Sequence, residues 1–388
     1  MDIRQRLSPV VRDLPPSGIR RFFDLASQMD DVISLGVGEP DFVTPWHIRE
    51  ASLYALERGF TTYTSNRGLP QLCEAIADHL TRYALSYDPA REVLVTVGGS
   101  EAIDLAFRAL ICPGDEVLLP VPTYVSYRPC ALLAGAVVRD VPTYAEDGFR
   151  LTAEMLRRFI TPASKVLVLC YPNNPTGAIM TREDLESVAR VVIDNDLLVI
   201  SDEIYADLTY GREHASIAAI SGMKERTVVV SGLSKAYAMT GWRIGYVAAP
   251  EEILEPMLKI HQYTALCAPS MSQMAALEAF RNGEQEKQKM VESYDRRRRL
   301  IVEGFNRIGI PCHAPQGAFY AFPDIRPTGL TSQAFAEALL QQMKVAVIPG
   351  DVFGETGEGF IRCSYATSAT QIQMAIERIG EFVHGLLR

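Results

Sequence analysis

The chain has 388 residues, 48% of them apolar and 22% charged, with 38 basic and 47 acidic side chains and a net charge of −9. That length exceeds one ordinary hydrophobic core and implies a large and a smaller domain, and the acidic balance argues against a general nucleic-acid binder. Seven cysteines with no CxxC pair, and six scattered histidines, argue against a disulfide framework and a metal site.

In chain order, the first forty-odd residues are irregular and end in the Gly/Pro-rich turn "SLGVGEPDF". They carry no signal-like apolar core, and no run along the chain reaches membrane-spanning length, so a reducing cytoplasm is the expectation. From about residue 91 to 250, short apolar runs alternate with helical periods. "EVLVTVGG" predicts a strand and "SEAIDLAFRALI" a helix; "DEVLLPVPTY" and "VSYRPCALLAGA" repeat the pair, as do "SKVLVLCYPNNPTG" and "REDLESVARVVIDND". "LLVISDEIY", "RTVVVSGLSK" and "GYVAAP" follow as strands. Runs apolar on both faces and joined by helices make an α/β fold with a mostly parallel sheet covered on both sides. From about residue 284 the pattern changes to a long charged helix, then short strands and two helices, which read as a smaller α/β domain. The expected division is an N-terminal segment (1–44) packing on the small domain and the cleft, a large domain (45–284) and a small domain (285–388). The basic run Arg296 to Arg299 lies in the polar sequence of that long helix and reads as a solvated face.

Ligands of such sheets bind at the carboxyl ends of the strands. "VGGSEAID" opens a helix whose free N–H groups suit an anion, with Ser100 adding a hydroxyl; an ordinary N-cap is the alternative. Tyr124 in "VPTYVSY" suits stacking on a planar ligand or plain core packing, and Asn174 in "YPNNPTG" suits a turn or a directional donor. Asp202 ends an apolar strand, where a carboxylate needs a cation or several donors unless it caps a helix, and Tyr205 lies three residues on. Lys235 follows another buried strand in "SGLSKAYAMTGWRIG". A lysine there is either half of a structural ion pair or an amine of lowered pKa, the form that makes a Schiff base. Arg243 follows eight residues later and suits a bidentate grip on phosphate. Together the set fits a phosphorylated aromatic aldehyde bound to a lysine, pyridoxal 5'-phosphate (PLP).

The stretches "SGLSKAYAMTGWRIG", "YPNNPTG", "SDEIY" and "FIRCSYA", in this order and spacing, resemble the fold type I PLP-dependent aminotransferases of the aspartate/aromatic aminotransferase superfamily, over nearly the whole chain. "PSGIRRFFDLA" and "ISLGVGEPDF" look like its bacterial-archaeal branch. The resemblance implies a seven-stranded sheet in the large domain and a homodimer with active sites shared across the interface. It implies that Lys235 carries the cofactor and shuttles the proton, and that Asp202 pairs with the pyridine nitrogen. Asn174 and Tyr205 would hold the phenolic oxygen, and Tyr124 would stack on the ring. Gly99, Ser100, the backbone of Glu101, Ser231 or Ser234, and Arg243 would hold the phosphate. Tyr63 would reach the phosphate of the neighbouring subunit, Arg362 would grip the substrate α-carboxylate, and Gly38 would lie on the segment that closes over substrate. The implied reaction is ping-pong transfer of an amino group from an aromatic, aspartate or other L-amino acid to a 2-oxo acid such as 2-oxoglutarate; a β-lyase on the same fold, or a non-catalytic PLP-binding regulator, is the alternative.

Two departures stand out. The position three residues before the lysine, often a phosphate-binding serine in the family, is Gly232 here. The basic residues that some aspartate-specific relatives place at the Ser100 position, or just ahead of the segment matching "CAPS", are absent from those positions, which leaves Arg20 or Arg21 as candidates for the distal charge.

Overall fold

β-branched residues and leucines at successive positions favour extended, doubly buried strands, and the computed structural model has them in the centre of the larger half. It describes residues 3–386 except 17, 20, 21, 23, 24 and 26–28, so Arg20 and Arg21 lie outside the described residues. β1 (Ile33–Ser34) precedes seven strands that form one sheet: β2 (Val93–Thr96), β3 (Glu116–Val121), β4 (Val137–Pro142), β5 (Ser164–Cys170), β6 (Leu198–Asp202), β7 (Thr227–Gly232) and β8 (Gly245–Ala248). Their order is β2-β8-β7-β6-β5-β3-β4. Successive side chains point to opposite faces. In β5, Val166, Val168 and Cys170 pack with the helices Gly98–Leu110 and Glu251–Thr264, whereas Leu167 and Leu169 pack with Ala153–Phe159 and Arg182–Asp194. The chain is therefore α/β, with a mostly parallel seven-stranded sheet between helices.

Only β8 runs against its neighbours, antiparallel to both β2 and β7. The other pairs are parallel. The carboxyl ends of β2, β3, β5, β6 and β7 thus share one edge with the amino end of β8, which carries Arg243 to that edge from the opposite chain direction.

β4 was not among the strands expected from apolar runs. It is the edge strand, and of its six residues "VVRDVP" only Val141 is buried, so its sequence lacks the doubly apolar signature.

The smaller half holds β9 (Tyr320–Ala321), β10 (Val345–Ala346), β11 (Ile348–Pro349) and β12 (Ile361–Ser364). β11, β12 and β9 form an antiparallel sheet, and β1 pairs in parallel with β10. Phe305, Phe319, Phe335, Ile361 and Ile379 fill its core, joined by Phe22, Ile33 and Leu35 from the N-terminal stretch. The basic run is not the solvated face its polarity suggested. It lies in the helix Glu284–Arg307, whose 3.6-residue repeat turns consecutive side chains to different faces. Arg297 pairs with Asp41 at 2.7 Å and lies over the Phe42 ring, and Arg298 pairs with Asp295 and lies over Tyr210, while Arg296 and Arg299 are exposed. Among the described residues, no helix is long and apolar enough to cross a membrane.

Candidate active site

A cavity of about 580 Å³ opens on the shared strand edge. Gly38, Gly99, Ser100, Tyr124, Asn174, Asp202, Tyr205, Ser234, Lys235, Arg243 and Arg362 all line it. Eleven expected residues, from the N-terminal stretch, the seven-stranded sheet and β12, therefore converge on one space.

Lys235 lies in the turn after β7. Its Nζ donates to the Gly38 carbonyl at 2.7 Å and stands 5.9 Å from the Tyr205 ring centre and 5.8 Å from that of Phe319. Burial lowers its pKa to about 8; Glu39 opposes the shift, and Arg362 and Arg243 reinforce it. Among the described residues no carboxylate forms an ion pair with it, so the structural-pair alternative gives way to an amine on the cavity wall.

Asp202 ends β6 and is buried. Its Oδ2 accepts from the Tyr127 hydroxyl at 2.6 Å and its Oδ1 from the Ile204 N–H at 3.1 Å. Burial still pushes its pKa up, because both donors are neutral. A cationic N–H placed against this carboxylate would relieve that cost. Tyr205 shares a hydroxyl–hydroxyl bond of 2.8 Å with Tyr320.

Arg362 is the largest fully buried side chain, 2% exposed. It alternates in β12 with Ile361 and Cys363, which face the small core, and so points the other way. Its Nη1 donates to Asn174 Oδ1 at 3.0 Å and its Nη2 to the Gly36 carbonyl at 2.6 Å. The rings of Tyr320 and Phe353 flank it at 4.6 and 5.0 Å. Among the described residues its Nε has no partner, an orphaned donor in a site that buries cations only at a cost.

The helix Gly98–Leu110 begins without a side-chain cap, because its N-cap is Val97. The first-turn N–H groups and the positive end of the helix dipole face the cavity through Gly99 and Ser100. Glycine is required here: a Cβ on Gly98, whose φ is +75°, would lie 2.6 Å from Arg243 Nη2, and one on Gly245 would lie 2.6 Å from both Gly98 C and Gly99 N. The close approach sets the Arg243 guanidinium against the uncapped turn. An uncapped helix start beside an arginine fits a phosphate; a buried carboxylate hydrogen-bonded to neutral donors fits a pyridinium; an amine of lowered pKa fits an aldehyde. These residues fit PLP.

Three expected residues do not line the cavity, of which Glu101 was expected there only through its backbone and Tyr63 only at the neighbouring subunit's site. The Ser231 hydroxyl donates to the Glu203 carbonyl at 3.1 Å and does not line the cavity; Ser234 does. Side chains alternate along β7, so residue 231 shares the face of Val229, opposite Val228 and Val230, which pack with the helix Gly98–Leu110 that opens on the cavity. The Glu101 side chain accepts from Val97 N at 2.5 Å and meets His261 at 2.8 Å, away from the lining. Tyr63 is 81% exposed and does not line this cavity. Two residues that touch the expected set were missed. Tyr127 stands three residues after Tyr124 at a helix start, and that spacing alone placed it beside the same strand ends. Tyr320, in "GAFYAF", carried no signal apart from its aromatic neighbours.

Comparison with known proteins agrees with this geometry. The profile of the family described as "Aminotransferase class I and II" matches residues 30–379. The chain is 54% identical to the "Putative aminotransferase YugH" of Bacillus subtilis (strain 168), over 97% of this chain and 98% of that one. It is 46% identical to the "Aspartate aminotransferase" of Pyrococcus abyssi, over 94% and 95%. The crystal structure of the aromatic aminotransferase from Pyrococcus horikoshii OT3 superposes with a TM-score of 0.90 at 44% identity, covering 94% of this chain and 99% of that one. With that match spanning both sheets and every cavity-lining residue except Ile19, the chain belongs to the aminotransferase class I and II family and is a PLP-dependent aminotransferase of fold type I.

Proposed function

We propose that the chain moves the amino group of an aromatic, or broadly chosen, L-amino acid to a 2-oxo acid such as 2-oxoglutarate, as a cytoplasmic homodimer. The observation that carries the substrate side is Arg362, a buried guanidinium on the cavity wall with one unpartnered N–H. A substrate α-carboxylate satisfies that donor and offsets the buried charge. Asn174, bonded to the same guanidinium, holds it in place and shares in substrate binding.

When bound, PLP supplies an electron sink for the substrate α-carbon. The residues of the chain do the rest. Asp202, with Tyr127 behind it, would keep the pyridine nitrogen protonated. Asn174 and Tyr205 would hold the phenolic oxygen, and Tyr124 would lie against the ring. The N–H groups of Gly99, Ser100 and Glu101, the Ser234 hydroxyl and Arg243 would hold the phosphate. The Lys235 amine would take the substrate α-proton and return it, first as general base and then as acid. A pKa lowered to about 8 keeps part of that amine neutral near pH 7. Gly38, tied to Lys235 through its carbonyl, lies on the segment that closes over substrate and excludes water.

Ile19 and Val125 add apolar surface to the cavity, which supports an aromatic or broad donor. Similar proteins bear both aspartate and aromatic names. A panel of amino donors against 2-oxoglutarate, pyruvate and oxaloacetate tests the assignment. Phenylalanine and tyrosine should exceed aspartate in kcat/KM, and a panel dominated by aspartate would overturn it. The homodimer rests on a face of exposed large side chains, including Trp46, Leu53, Phe60, Tyr63 and Tyr263. Residues 1–44 are read as the closing segment, 45–284 as the large domain and 285–388 as the small domain.

A further inference from the structure

A carboxylate in the first turn of a phosphate-binding helix suits the helix dipole but opposes the charge of the ligand. Glu101 is such a group. It stands in the first turn of the helix Gly98–Leu110, and both of its oxygens are committed. Oε2 accepts from the N–H of Val97, the N-cap, at 2.5 Å, and Oε1 meets His261 Nδ1 at 2.8 Å. His261 is fully buried on the neighbouring helix Glu251–Thr264, and among the described residues its Nε2 has no partner. An ionised carboxylate only accepts, so Nδ1 donates.

We propose that Glu101 and the buried His261 form a brace that fixes the Val97–Gly98–Gly99 turn, making both of them positioning residues for the cofactor phosphate. The inference rests on reading that turn as the phosphate cradle. Val97 has no side-chain oxygen with which to shape the helix start, so Glu101 supplies the backbone clamp from one turn inside. His261 turns the acid away from the first-turn N–H groups, where it would otherwise cap its own helix and compete with the phosphate. Held this way, Glu101 sets a like charge near the anion site and takes the Val97 N–H, but stays off the N–H groups of Gly99 and Ser100.

The two effects of Glu101 have opposite signs, and that makes the brace testable. Apoprotein variants are titrated with PLP and with pyridoxal, which lacks the phosphate, and dissociation constants are read from absorbance. Glu101→Ala and His261→Phe should weaken PLP about tenfold or more, the scale of misaligned hydrogen bonds to a charged group, and change pyridoxal binding less than about threefold by the same reckoning. Glu101→Gln and His261→Asn, which restore the contacts, should bind PLP within about threefold of wild type or more tightly. Tighter PLP binding by Glu101→Ala would mean that the acid is only a nearby like charge, and would overturn the brace. Equal loss of PLP and pyridoxal would overturn it too, as a general packing defect. If His261→Phe does not fold, the Glu101 pair decides alone. Arg243→Gln serves as the control on the cradle itself. Should it abolish the preference for PLP over pyridoxal while the four brace variants keep that preference, the brace is wrong and the cradle stands. Should wild type show no such preference, the cradle reading fails, and the brace with it.

Discussion

At the scale of single residues, Lys235 ties stability to chemistry. Its folded pKa of about 8 lies below the ordinary 10.5 because burial disfavours the ammonium. Below pH 8 the cofactor-free protein must carry that charge in a site that opposes it. Between pH 8 and 10.5 the folded chain has released the proton while the unfolded chain still holds it, so this contribution to stability rises with pH through that window. Lys235→Met should therefore stabilise the apoprotein at pH 7, by up to about 3 kcal/mol. The advantage should vanish towards pH 10.5. Denaturant midpoints at pH 7 and 10 measure both, and a pH-independent gain would mean that packing alone accounts for it. The same lysine should be indispensable to turnover: Lys235→Ala should lose transaminase activity by about 1,000-fold or more while retaining some PLP. Single-turnover cofactor spectra separate that loss of proton transfer from a loss of binding.

At the scale of elements, the antiparallel β8 explains why two distant glycines matter. Gly245 faces Thr96 and Gly232 across the sheet, and the Gly98–Gly99 peptide packs directly on it. Gly245→Ala would drive a methyl group into the Gly98–Gly99 peptide, backbone that cannot give way as a flexible side chain can. It should cost about 1–3 kcal/mol of stability, and weaken PLP more than pyridoxal because the phosphate turn is what moves. Thermal denaturation and the two titrations check it; a neutral variant would show that β8 and the helix start can separate freely. The elements also show what a sequence makes legible. Strand ends were legible because doubly buried runs such as "VLVLC" stop abruptly at polar residues, and that edge gave Asn174, Asp202 and Lys235 a common address. β4 was not, because an edge strand keeps Arg139 and Asp140 half-exposed and breaks the apolar run. Tyr320 was not, because nothing in "GAFYAF" says which aromatic meets Tyr205. The two serines flanking Leu233 were separable only once β7 fixed which way Ser231 turns. Arginines 297 and 298 hid behind a polar sequence whose helical phase places them inward.

At the scale of the whole molecule, Tyr63 poses the sharpest problem. It is 81% exposed and lines no part of its own cavity, and Phe60, three residues before it, is 51% exposed. Ser270 and Asn66 bond the backbone at Phe60 and Leu266, and so join the Tyr63 loop to the Leu266 loop that follows Tyr263, which is itself 91% exposed. Two such faces meeting about a two-fold axis would bury both loops at once and carry each Tyr63 to the other subunit. The two defects Tyr63→Phe and Lys235→Ala then fall in different sites of a mixed dimer. In a heterodimer, the site built on the Tyr63→Phe subunit has its own Lys235 and the partner's Tyr63, and is native. Its other site has neither. Lys235→Ala alone is inactive, and Tyr63→Phe should hold PLP weakly enough to be nearly inactive when cofactor is limiting. Unfolding and refolding the two together in equal amounts should restore about a quarter of wild-type activity, since half the dimers are mixed and each has one intact site of two. Activity no higher than the average of the separate variants would place Tyr63 in its own subunit's chemistry or in none, and the shared site would fall.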